Sequence, residues 1–173
     1  QGGTSDGGLG ARMKGDFNLI SGDIIKVVVG QQGDWYSGWN SSGGGGGSFV
    51  WKNTSPLIIA GGGGGQGIQN HTNHGEGSDG SLTESGTMGP NATESNQGTS
   101  GNNAIGDPNY AKGWNTIISD LTNLIGDRSG SYGKTGGFGG GSTSSHHAGG
   151  GAGGYSGGGC QNYGSPSSTK TIG

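Results

Sequence analysis

A length of 173 residues suits one domain, yet 48 of those residues are glycine and only 25% are hydrophobic, against typical shares of ~7% and ~45–50%. The formal net charge is only −3, whereas disordered chains pair low hydrophobicity with high net charge. No Gly-X-Y period runs through the chain, which excludes collagen. Eight Lys and Arg residues against eleven Asp and Glu make no basic patch, and neither Arg12 nor Arg128 lies in an RGG context, so no nucleic-acid partner is expected.

From Leu9 to Leu19 the odd positions are Leu9, Ala11, Met13, Gly15, Phe17 and Leu19, and the even ones Gly10, Arg12, Lys14, Asp16 and Asn18. This period of two predicts a strand with one buried face. Ser21-Gly22-Asp23 is turn chemistry, and 24–29 (IIKVVV) is a second, β-branched strand. The two read as a hairpin or as neighbours in a sandwich. The run Val27-Val28-Val29 is too short for a membrane span, so no membrane insertion is expected.

An aromatic loop at 34–39 follows, whose Trp35, Tyr36 and Trp39 form a candidate recognition surface for glycans or protein. Two short strands come next, each joined to a glycine run: SFVWK (48–52) after 43–47, and PLIIA (56–60) before 61–65. Residues 66–108 are polar and read as a surface excursion, mobile or glycan-covered, in which a substitution at Gly80 should be tolerated. Trp114, Ile117, Ile118, Leu121 and Ile125 fall at helical spacing with Gly126 placed as a cap, which predicts a short α-helix at 114–125. The β-branched Thr116, Ile117, Ile118 and Thr122 keep a strand as the alternative. Glycine then returns at 136–141, 149–154 and 157–159, and 161–173 reads as an extended tail.

Ordering a glycine costs about 0.5–1 kcal/mol more than ordering an alanine. A low-apolar chain with so many glycines therefore stays unfolded unless the runs form a dense hydrogen-bond network of their own. Extended left-handed helices with three residues per turn provide one, because without Cβ atoms neighbouring helices approach closely and exchange N–H···O and Cα–H···O contacts. A bundle of polyglycine II helices is the expectation.

Several residues carry a resemblance. The pattern from Gly15-Asp16-Phe17 through Gly22-Asp23 to Val27-Val28-Val29-Gly30-Gln31-Gln32-Gly33, with GGGGGSFVW (43–51), PLIIAGGGGG (56–65) and the runs GGFGGGS and GGGAGGYSGGG within 136–159, resembles the glycine-rich domain of the anaplastic lymphoma kinase and leukocyte tyrosine kinase receptors. The blocks cover about half the chain and come in the same order. The resemblance implies a mainly β fold, a tumour-necrosis-factor-like β-sandwich joined to a bundle of polyglycine II helices, in a single glycine-rich domain over 1–173. The cysteine-bearing segments, membrane span and kinase of those receptors have no counterpart here, so fold is implied and receptor function is not.

Chemical motifs are few. Arg128 to Thr135 imitates a phosphate loop, but the pattern needs glycine at Arg128 and a helix after Thr135, where Gly136-Gly137-Phe138 stands; it reads as a glycine-rich turn. His71, His74, Glu76 and Asp79, or His146 with His147, read as solvated loop residues rather than metal ligands. No nucleophile elbow, HExxH or spaced carboxylate motif occurs, so neither an enzyme nor a cofactor is expected. Sequons stand at Asn40, Asn53, Asn70 and Asn91, with Asn70 and Asn91 the best placed for N-glycosylation. Cys160, the single cysteine, reads as a buried or free thiol, with an intersubunit disulfide as the alternative.

The chain starts at Gln1, without methionine or a charged-then-apolar leader, which reads as a mature secreted chain, although a trimmed one would read the same way. The expectation is a secreted structural protein, a self-associating homo-oligomer or filament subunit of an extracellular matrix, with 1–8 and 161–173 as arms that lie on a neighbour. The alternative is an extracellular recognition or adhesion module, either receptor-like or at a fibre tip.

Overall fold

A computed structural model describes residues 7–36, 41–68, 74–75, 77–86, 98, 100–104, 111–122, 124, 135–144 and 149–158. Its regular structure is mainly strand with little helix. In chain order the elements are β1 (Ile25–Val28), β2 (Trp35–Tyr36), β3 (Ser41–Ser42), β4 (Ser48–Lys52), β5 (Ser55–Ala60), β6 (Gly67–Ile68), β7 (His74–Gly75) and α1 (Trp114–Ser119). One antiparallel sheet has the order β1-β4-β5, and β2 with β3 and β6 with β7 form two-stranded pairs.

Alternation along β4 builds the core. Phe49 and Trp51 are fully buried, joined by Val28, Trp114, Ile117 and Leu124, with Ile59, Ile118 and Tyr155 packed alongside. Trp114 stacks on Phe49 at 6.1 Å between centroids and meets Trp51 edge-on at 5.7 Å. Helix and sheet are thus locked by three aromatic rings, geometry worth ~0.5–1.5 kcal/mol per pair beyond area burial. Residues 48–60 form the expected pair of strands, with a two-residue connection at Asn53 and Thr54. Asn53 takes φ 55°, a left-handed conformation that asparagine tolerates better than most residues.

The helix is six residues, half the expected twelve. Three β-branched residues in a row, 116–118, are poor helix formers. The Asp120 carboxylate then accepts bonds from both the N–H and the hydroxyl of Thr122, a local turn that competes with further helix. What remains is held by burial of Trp114 and Ile117 rather than by propensity. The proposed cap Gly126 lies outside the described residues.

The glycine runs carry a network with its own rhythm. Along 42–47, Ser42 and Gly45 donate to Gln66 and Gly63, Gly43 and Gly46 to Asp34 and Gln31, and Gly44 and Gly47 to Ser142 and Gly139, all at 2.8–3.0 Å. Each third residue addresses the same neighbouring segment, and each neighbour runs antiparallel to 42–47. The same repeat recurs on 61–65, where Gly62 and Gly65 donate to Gly153 and Gly150, while Gly61 and Gly64 accept from Ala11 and Gly8. The segment 42–47 is itself buried except for a half-buried Gly46.

Parts of the region expected to be a surface excursion belong to this packing. Gly64 donates to Ser78 and Gly80 to Leu9, while Gly98 and Asn102 are bonded to Gly157. These residues are tied to the glycine runs and the N-terminal segment through backbone groups and through the side chains of Asp79 and Asn103, which accept the N–H groups of Leu9 and Gly113.

The largest correction concerns 9–19. No strand forms there, and Met13, Phe17 and Leu19 are exposed. The turn that follows explains it. Asp23 N–H donates to the Ile20 carbonyl at 3.1 Å, and positive φ occurs only at Gly22, the third residue of the turn. That is the type II arrangement, whose twist splays strands instead of pairing them. A tight hairpin across 20–23 would also set Phe17 opposite Lys26, apolar against charged on one face, a register one residue out of step.

Candidate functional site

The expected site residues are mostly separated or lie outside the described residues. Trp35 sits on β2, half-exposed, paired with Ser42, and Tyr36 pairs with Ser41. Trp39, Asn40, Asn70, Asn91, Cys160, His71, Glu76, His146, His147 and residues 128–134 fall outside the described residues. Of the four sequons the structure describes Asn53, exposed at the tip of the β4–β5 hairpin. Asp79 accepts the Leu9 N–H at 2.7 Å, a structural tie rather than a ligand position. Among the described residues no three His, Cys, Asp or Glu side chains gather as a metal group. No described helix is long and apolar enough to cross a membrane.

The feature that stands out is the number of exposed apolar side chains between Leu9 and Val29, in the N-terminal segment and in and beside β1. Leu9, Met13, Phe17, Leu19, Ile20, Ile24, Val27 and Val29 are all exposed, from 41% to 75%.

Backbone geometry adds to it. The segment is anchored at one end by Ala11, whose N–H reaches the Gly61 carbonyl at 2.8 Å, where β5 enters its glycine run. At the other end Asp23 accepts the Lys52 ammonium at 3.0 Å and the Ile20 N–H at 2.9 Å. These two bonds, the backbone one foremost, hold the Asp23 carboxyl below its ordinary range. Between the anchors, residues 12–19 make no hydrogen bond to any described residue. Strand β1, at the edge of its sheet, has no strand on its other side among the described residues. Val27 lies opposite Val50, and Val50 opposite Ile58, so an apolar stripe crosses the outer face.

Alternation in 9–19 signalled the apolar side of this surface. That the segment stays apart from β1 was not legible, because pairing depends on the turn's φ at Gly22. Comparison with protein-family models, curated proteins and solved structures finds no match for this chain.

Proposed function

We propose that this chain is a secreted structural protein that self-associates into an extracellular filament or matrix, and that it has no catalytic role. The observation that carries the reading is the set of exposed apolar side chains within 9–29, beside a sheet edge. So many exposed apolar side chains in one stretch of chain support a contact surface. In the same reading the glycine runs form a polyglycine II bundle, supported by hydrogen bonds that change direction with a three-residue repeat. The β-sandwich of the glycine-rich receptor domains belongs to this proposal as well.

A second reading, an adhesion or recognition module, is favoured by Trp35, half-exposed on β2 within the aromatic stretch that includes Tyr36 and Trp39. Electron microscopy and light scattering of the purified chain separate the two. Filaments or large oligomers are the expected result. A protein that stays monomeric at high concentration overturns the structural reading in favour of recognition.

A further inference from the structure

We infer that residues 12–19 of one copy add as a strand to the outer edge of β1 in the next copy, antiparallel, with Asp16 opposite Lys26. The inference rests on the self-associating reading above and names the surfaces that join.

Three observations carry it. First, donor and acceptor are each half of a strand pair: 12–19 has alternating side chains and no backbone partner among the described residues, and β1 is an edge strand. Unpaired edges take up a strand from another chain through main-chain bonds. Second, apolar side chains are exposed on both parts, Met13, Phe17 and Leu19 on the donor and Val27 and Val29 at the acceptor, and pairing in one sheet sets such side chains against one another across the strands.

Third, the register is complementary. With Asp16 across from Lys26, Phe17 faces Ile25, Gly15 faces Val27 and Met13 faces Val29, all on the outer, apolar side of the sheet. Opposite charges placed directly across a strand pair are favourable, and like charges are not. A slip by one residue sets Asp16 against Val27 or Ile25 and turns the apolar side chains of the donor onto the Lys26 side. Asp16 and Lys26 are both exposed.

Because the donor segment and the acceptor edge are different surfaces, the contact is head-to-tail and can propagate without closing. The turn at 20–23, fixed by Gly22, Asp23 and Lys52, keeps the donor away from the edge of its own β1.

Charge reversal in the full chain tests this. Asp16→Lys and Lys26→Asp should each raise the concentration needed for assembly at least tenfold, and the double variant should restore it, with thermal melts of the unassembled chains unchanged. A mixture of Gly15→Cys and Val27→Cys proteins, both on a Cys160→Ser background, should form a mixed disulfide, which is intermolecular by construction. Wild-type assembly that neither single variant weakens overturns the strand-addition proposal while leaving the filament reading standing. So does weakening by Asp16→Lys alone with Lys26→Asp behaving as wild type. A wild-type chain that never assembles removes the filament reading itself, and this proposal with it.

Discussion

Gly63 and Gly61 stand two residues apart in one glycine run, yet a Cβ would have opposite consequences at the two. At Gly63 it would lie 1.9 Å from the Gly8 carbonyl oxygen, while at Gly61 its nearest neighbour is 3.8 Å away, an ordinary contact. Gly63→Ala should therefore destabilise by on the order of 1–3 kcal/mol or more, since the clash is with backbone, and Gly61→Ala should be close to neutral. Thermal melts of the two variants check the contrast. Gly80 joins the intolerant group, because its Cβ would meet the Ala11 nitrogen at 2.7 Å and the Gly61 oxygen at 2.8 Å. Sequence composition placed it among tolerant surface residues. Asp23 sets a pH dependence. Its carboxyl is held below the ordinary 3.8 by the Ile20 N–H and Lys52, so the stabilisation it contributes is present above about that pH and lost as pH falls through the lower folded value. Protection of the Ile20 amide, taken relative to its intrinsic exchange rate at each pH, should fall on acidification in wild type, and Asp23→Asn should show the lowered protection already at neutral pH.

At the scale of elements, the sheet and α1 depend on one aromatic cluster. Phe49 is fully buried against Trp114, so Phe49→Ala should cost about 3–5 kcal/mol. Loss of near-ultraviolet dichroism from Trp51 and Trp114 would report the loosened packing. Strands β4 and β5 were legible because apolar β-branched runs bounded by Lys52-Asn53-Thr54 and by glycine leave few alternatives. The strand expected at 9–19 was legible only as a strand-forming pattern. That it does not pair with its own β1 follows from the type II turn at Gly22 and the register that it imposes. The helix was foreseen in place and overextended in length, because Leu121 and Ile125 continue the spacing while Asp120 diverts the backbone.

At the scale of the whole molecule, the hydrogen bonds of 42–47 reach three neighbouring segments in rotation, so opening one run exposes donors on all of them. Amide exchange at 43–47 and 62–65 should accordingly be slow and lost together in one cooperative melt. Exchange at random-coil rates across those runs would exclude the proposed polyglycine II bundle. The sequence by itself determined that any fold must draw on the glycine backbones: with 48 glycines and 25% hydrophobic residues, side-chain burial alone is too little to hold the chain. It also marked the short sheet strands and the apolar side of 9–19, since those signals are periodic and local. Only the tertiary structure decided which runs neighbour one another, that 77–80, Gly98 and Asn102 join them, and that 12–19 stands apart from its own sheet. Glycine has no side chain to encode a partner. Its pairing is chosen by closest approach of backbones brought from distant parts of the chain, which no local pattern records.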